Sequence, residues 1–284
     1  MFRPLLLAAL AFSASTGSAQ YLPYDYESFQ NNDIDTGLVR RKSVASLQVA
    51  VVGDGVTLES WQQEFDGSGK VLRTLYFDRD QKRSATYTFR YNPGNLLSTV
   101  EAKVPDVLRA EIYRAEYRYT DGKVSGFDWL PSGDEVTYQY AQDRLVRAEW
   151  RRGRTGIGPR LAYRARTDFR YDAGGRLTST RTVHYVNAED STGELFSNRT
   201  YTYAGGRLLR DTEEGIWGVN TILYRYDAAG RLTRKTSDRL LVTNRYYSNG
   251  LLRTRTERKL FGGGRFSETV FTYTWKQHSN KSPR

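Results

Sequence analysis

The chain of 284 residues contains no cysteine. That excludes disulfides, thiolate metal sites, a cysteine nucleophile and a lipid-bearing N-terminal cysteine together. Histidine is nearly as scarce, with His184 in TVHYV and His278 close to the C-terminus. Neither has a partner at metal-ligand spacing, so His184 reads as a half-buried strand side chain rather than a ligand or general base. After the first residues no run approaches the roughly 20 apolar residues that a membrane-spanning helix needs. A P-loop, a nucleotide-binding glycine pattern and a GxSxG motif are all missing, and GGGR at 262–265 reads as a hairpin turn. Glu213-Glu214 and Glu189-Asp190 are adjacent acids in expected turns. Neighbours on a strand face opposite ways, which separates such acids rather than pairing them for glycoside chemistry. Nothing here implies a cofactor or a metal.

What is present begins with an export signal. Arg3 supplies a short basic start, Leu5 to Phe12 an apolar run, and Gly17-Ser18-Ala19 the small residues a signal peptidase reads. Residues 1–19 are therefore expected to be a signal peptide, with the mature chain starting at Gln20 and destined for the periplasm, the cell surface or the medium. Residues 20–45, polar with scattered aromatics and no period, read as a flexible or irregular leader. Residues 277–284 read as a disordered tail.

Between them, aromatic side chains dominate: 21 Tyr, 12 Phe and 5 Trp, with 25 Gly. Such a composition favours strands joined by tight turns. A degenerate unit, aromatic then turn then aliphatic, recurs at FDGSGKV from 65, YNPGNL from 91, YTDGKV from 119, YAQDRL from 140, YDAGGRL from 171, YAGGRL from 203, YDAAGRL from 226 and YSNGLL from 247. In YDAAGRL, Tyr226 should face Leu232, leaving Ala228-Ala229-Gly230 as a loop whose last residue must be left-handed, which glycine does cheaply. Gly69 and Gly175 take the same place. Gly206, Gly122 and Gly250 are expected in two-residue type I′ loops, after Gly205, Asp121 and Asn249. SLQVAVVGDGVTLESWQQEF should open the series with a hairpin turned at Gly53-Asp54-Gly55.

A lone hairpin is marginal, so the aromatic and aliphatic face must be buried by stacking many units. The fold class expected is all-β: a long antiparallel meander of about 16 to 18 strands over residues 46–276, curled by its twist into an open trough, a spiral or a partly closed barrel. The longest excursion from it should lie around residues 151–166. A membrane-embedded barrel fits the aromatic alternation but not the Arg and Asp on both faces of strands such as TDFRYD.

YDAGGRLTSTRT and YDAAGRLTRKT resemble the tyrosine-aspartate repeat of the RHS/YD-repeat family. The resemblance spans most of residues 60–275 and is tightest at 169–182 and 224–236. It implies a β-hairpin shell of the kind that can enclose a cargo, often a toxin domain.

Charge is lopsided. Residues 21–150 hold 16 Lys+Arg against 20 Asp+Glu, whereas residues 151–284 hold 26 against 12. Arg beside Tyr can fork onto phosphate or sulfate while the ring stacks on a sugar, so the basic half is the candidate ligand face. Its residues are Arg164, Arg166, Arg170, Tyr171, Arg176, Tyr201, Tyr203, Arg207, Tyr224, Arg225, Tyr226 and Arg231. Solvated Arg and Thr on an outer sheet face would look the same. The expected function is that of an exported, non-enzymatic binding or structural module of the envelope, with an anionic envelope polymer, a glycan or a surface protein as partner. A nucleic acid is an unlikely partner for an exported chain. The alternatives are a glycan-active envelope enzyme, or an accessory to a toxin-delivery shell.

Overall fold

The computed structural model describes residues 36–104, 111–130, 133–151, 164–185, 192–261 and 265–278. The expected signal peptide, most of the leader, the centre of the 151–166 excursion, Glu189-Asp190 and the last six residues lie outside these. One short helix, α1 (Thr36–Arg41), precedes eighteen strands. They are β1 (Val44–Gly53), β2 (Val56–Phe65), β3 (Val71–Phe77), β4 (Arg83–Tyr91), β5 (Leu97–Val104), β6 (Glu111–Thr120), β7 (Lys123–Leu130), β8 (Asp134–Ala141) and β9 (Arg144–Arg151). The second half comprises β10 (Arg164–Tyr171), β11 (Leu177–Tyr185), β12 (Glu194–Ala204), β13 (Arg207–Gly215), β14 (Gly218–Tyr226), β15 (Leu232–Thr236), β16 (Leu240–Tyr246), β17 (Leu252–Leu260) and β18 (Phe266–Gln277).

Each strand pairs antiparallel with its sequence neighbours, and β1 pairs with β18 from Val44 opposite Gln277 to Gly53 opposite Thr269. The meander is therefore a closed barrel, the most closed of the forms the sequence allows. Closure removes the edge strands that an open sheet would expose.

The start of β1 and the end of β18 meet at the end of the barrel that carries the turns β2–β3, β4–β5 and their successors, here the turn end. His278 N–H donates to the Ser43 carbonyl there at 2.7 Å, so His278 closes the wall rather than starting a loose tail. The leader likewise contributes structure: α1 buries Val39 to 1 % exposure within the core cluster. Six residues are too few to show a helical period, and it is this tertiary burial, not propensity, that holds them.

The turns follow the chemistry of the repeat. Tyr226 faces Leu232, Gly230 N–H donates to the Asp227 carbonyl, and Gly230 has φ +84°. Asp227 Oδ1 accepts the Arg231 N–H at 2.9 Å while Arg231 Nε donates to its Oδ2 at 2.7 Å. Asp172 and Arg176 repeat both bonds. Gly69, Gly122, Gly175, Gly206 and Gly250 are all left-handed as well. YNPGNL departs from the pattern, because Asn95, not glycine, takes the left-handed place at φ 64°. Asn249-Gly250 is a correction: Tyr247 N–H donates to Leu251 O and Gly250 N–H to Tyr247 O, so the loop is the three-residue form, not type I′. The extra residue before Leu251 supplies the length that a two-residue loop lacks.

Consecutive hairpins are stitched by a bond that the sequence hides. At five turns the entering tyrosine donates its hydroxyl to the carbonyl of an aliphatic residue leaving an earlier turn. Tyr91 reaches Val71 O at 2.9 Å, Tyr119 reaches Leu97 O at 2.6 Å and Tyr171 reaches Leu145 O at 2.8 Å. Tyr226 reaches Leu208 O at 2.9 Å, Tyr246 reaches Leu232 O at 2.7 Å, and Trp275 Nε1 ends the series on Leu252 O at 2.7 Å. The cation before that aliphatic residue lies over the same ring: Lys70 over Tyr91, Arg144 over Tyr171, Arg207 over Tyr226 and Arg231 over Tyr246, at 4.9 to 5.8 Å. This is why the order is tyrosine, aspartate, glycine, arginine, leucine: Arg231 braces its own turn through Asp227 and the next hairpin through Tyr246.

Alternation then sorts side chains inward and outward. Leu47, Val49, Val51, Trp61, Phe65, Tyr87, Phe89, Val100, Tyr117, Val136, Tyr138, Leu145 and Ala148 form one buried inward cluster, joined by Phe271 and Tyr273 of β18. Outward rows of β5 to β10 carry Glu101, Arg114, Arg118, Asp128, Glu135, Arg147 and Asp168. A bilayer-facing band would be apolar there, and an Arg or Lys at its midplane costs about 2–4 kcal/mol. The wall is built to face water.

Candidate functional site

The twelve basic and aromatic residues singled out from the sequence do not share one surface. Ala165, Thr167 and Phe169 are buried between them, so Arg164, Arg166 and Arg170 point outward from β10. Arg164 covers the Tyr185 ring at 4.0 Å and Arg166 pairs with Asp168 at 3.1 Å. Tyr171, Tyr201, Tyr203, Tyr224 and Tyr226 lie on the inward rows, and Tyr171 and Tyr226 are committed to the stitching bonds. Arg176, Arg207 and Arg231 sit at the turn end over Tyr203, Tyr226 and Tyr246. Of the twelve, Arg170 and Arg225 stand on open outward rows in the basic half, Arg225 directly opposite another arginine.

The Arg225 row leads to a site. Arg225 is directly opposite Arg234, Arg234 opposite Thr243, Thr243 opposite Thr256, and Thr256 opposite Val270. One line of register partners thus crosses five strands, β14 to β18. Arg245 opposes Thr254 in the adjoining line, and Arg258 opposes Glu268 in the next. Between these lines the outer surface is hollowed into a half-open groove of about 450 Å³. Its lining is Leu241, Thr243, Arg245, Thr254, Thr256, Arg258, Glu268 and Val270.

The electrostatics of the groove differ from the rest of the wall. On β6–β10 several cations meet acids: Arg118 bonds Asp128 and Glu135 at 2.5 and 2.9 Å, Arg147 bonds Asp168 at 2.7 Å, and Lys123 bonds Asp143. Among the described residues Arg225, Arg234 and Arg245 have no carboxylate partner, and Arg234 Nε donates only to Thr236 Oγ1 at 3.0 Å. Like charges directly opposite one another on a sheet are destabilising by some tenths of a kcal/mol to about 1 kcal/mol. The Arg225–Arg234 pair keeps that cost with no acid to relieve it. The one acid of the groove, Glu268, is held by Arg258 Nε at 2.5 Å.

A second polar cluster faces inward on β12–β14. Arg199 Nη2 donates to Glu213 at 2.8 Å, its Nε lies 3.3 Å from Asp211, and the Tyr224 hydroxyl is 3.5 Å from the other Asp211 oxygen. Burial pushes the Asp211 carboxyl above its ordinary value, against the pull of Arg199. Glu213 and Glu214 point to opposite sides, as adjacent strand residues must. His184 stacks on Phe196 with centroids 3.9 Å apart, and burial holds it below its usual titration range. Asp211 and Glu213 are thus tied to Arg199, and His184 is packed on a ring. Among the described residues no cluster of His, Asp and Glu could hold a metal ion.

Sequence reasoning found Arg225 and missed Arg234, Arg245, Thr243, Thr254 and Thr256. The alternation in RTRTER, residues 253–258, was the available signal: it puts Thr254 and Thr256 on one face with Arg258. What it could not give is the register that aligns them with Arg225, three strands away.

No family model matches the chain. No curated protein matches it either. Among solved structures, a porin-like protein from Bacteroides uniformis aligns over 82% of this chain and 98% of its own, at 10% identity and a TM-score of 0.48.

Proposed function

We propose that the mature chain is an exported, non-enzymatic binding module of the cell envelope or surface, and that the outward groove on β16–β18, with the arginines of β14 and β15 beside it, takes an anionic polymer, an acidic glycan first among them. The observation that carries this reading is the facing pair Arg225–Arg234, two arginines directly opposite one another beside the groove with no carboxylate partner among the described residues. Phosphate, sulfate or carboxylate groups spaced along a polymer would neutralise it, with Arg245 as a further fork. Thr243, Thr254 and Thr256 offer hydroxyls that donate and accept, the mixed chemistry that sugar hydroxyls require. The single acid in the groove, already bonded to Arg258, leaves no free carboxylate pair of the kind glycoside hydrolysis uses. A cargo shell would need an empty lumen, whereas inward rows of β1–β10 are filled by the wall's own side chains. The export reading rests on residues 1–19, and the YD-repeat reading on the Asp172 and Asp227 turns.

The test is titration calorimetry of the mature protein with polygalacturonate and with heparin, against neutral dextran. We expect binding to the two polyanions only, falling steeply between about 50 and about 200 mM salt. The R225S/R234S/R245S variant should bind about tenfold more weakly or worse. Equal affinity of the variant, or no polyanion binding by the parent at moderate salt, overturns the reading.

A further inference from the structure

The end of the barrel opposite α1 and His278 carries a different surface. There the β13–β14 turn thrusts Trp217 into solvent at 89 % exposure, flanked by Ile216 at 60 % and Val219 at 67 %. Two hairpins further round, the β17–β18 tip presents Leu260 at 45 %, Phe261 at 56 % and Phe266 at 57 %. Leu260 and Phe266 face each other across the ladder, and Phe261 N–H closes the tip on Arg265 O at 2.7 Å. The β15–β16 tip lies between, with Leu260 N–H donating to Arg239 O at 2.9 Å. All these apolar groups stand at one end, and none of the described residues buries them.

Their form and surroundings identify the occupant. An interface with another protein is a contiguous, complementary patch with a buried centre. Here the apolar groups are separate protrusions from two turns, each able to enter a soft medium alone. An indole at a hairpin tip is the amphipathic group favoured at the boundary between headgroups and acyl chains. The charge around the later two tips is cationic: Arg239, Lys259 and Arg265 are exposed on the β15–β16 and β17–β18 hairpins, against Asp238, while Arg258 and Glu268 cancel in their own bond; Glu214 stands beside Trp217 and Asp54 at the neighbouring β1–β2 tip. Cations with long apolar stems next to aromatic tips suit a surface of anionic headgroups.

We propose that this end of the barrel docks on a lipid bilayer rich in anionic headgroups, with Trp217 and Phe261 inserted and Arg239, Lys259 and Arg265 at headgroup level. The barrel would then stand on the membrane by three adjacent hairpins, leaving the groove on its side in water. This holds whether or not the groove binds a polymer.

Vesicle sedimentation tests it, using phosphatidylcholine alone and phosphatidylcholine with about one-quarter phosphatidylglycerol, alongside fluorescence quenching by brominated acyl chains. The mature protein should sediment with the anionic vesicles, and bromine should quench a component that W217S lacks. W217S/F261S should lose about tenfold or more in partitioning, and R239S/K259S/R265S should lose the preference for phosphatidylglycerol. Because all five side chains are exposed, circular dichroism should show both variants folded. R225S/R234S/R245S should still bind vesicles, which separates this proposal from the groove. Sedimentation unchanged in W217S/F261S, no binding to anionic vesicles, or a lipid-free dimer in which Trp217 is shielded would each overturn it.

Discussion

Strands β1–β10 and strands β11–β17 are one repeated hairpin wall with two different contents. In the first region the inward rows hold Leu47, Trp61, Tyr87, Phe89 and Val100, none above 4 % exposure. In the second they hold Arg199, Asp211, Glu213 and Asn244, with Val242 among the few buried aliphatics. Outside, the first region carries a network of paired charges around Arg118 and Arg147, and in the second Arg225, Arg234 and Arg245 have no carboxylate partner among the described residues. The stitching hydrogen bonds run through both. Backbone geometry and its tyrosines thus set the wall, and the rows left over are free to specialise, one region toward stability and the other toward recognition.

The largest effect should come from the contents that differ. Trp61→Ala, at 1 % exposure, should cost about 3–5 kcal/mol in urea unfolding. Tyr224→Ala, inward but half-buried, should cost less than half as much. Equal losses would mean that the second region packs as tightly as the first, and the division would fail.

A smaller effect probes what the regions share. Tyr91→Phe and Tyr226→Phe each delete one hydroxyl-to-carbonyl bond, to Val71 and Leu208. Each should cost about 0.5–1.5 kcal/mol. The two values should agree; a cost confined to Tyr91 would make the bond a feature of the packed region only.

Smallest of all should be an acid response of the braced turns. The backbone N–H of Arg176 and of Arg231 holds Asp172 and Asp227 below the ordinary aspartate range, and the arginine side chains add to it. Their folded values are depressed, so the stability they give is complete above the unfolded value near 3.8 and is lost as pH falls through the folded one. The midpoint of urea unfolding should therefore drop below about pH 4, and less so in D172N/D227N. An identical acid limb in that variant would show the turns to be irrelevant to it.

Much of the wall was legible in the chain because turn chemistry is local. Gly230 and Gly175 announce a left-handed residue, and Tyr226 opposite Leu232 follows from loop length alone. The rest depends on register between distant segments. Closure rests on β1 meeting β18, which no hairpin motif encodes. The tyrosine hydroxyls find carbonyls in the preceding hairpin, and an acceptor on the main chain leaves no mark in side-chain identity. The site was half legible for the same reason. Arg225 stood out beside its tyrosines, whereas Arg234, Arg245 and the threonines became one surface only when β14 to β18 were laid side by side. Tyr201 and Tyr203 looked like ligand-stacking rings because alternation tells which residues share a face but not which face is inside.

His278 bonded to Ser43 places the two ends of the folded chain side by side. A short peptide joining them, with a new opening cut at Gly122 or at Gly205-Gly206, would leave every strand between the neighbours it has now. The order in which the hairpins are synthesised is therefore separable from the architecture they reach, and whole hairpins are the natural unit by which a barrel of this design could be enlarged, shortened or renumbered.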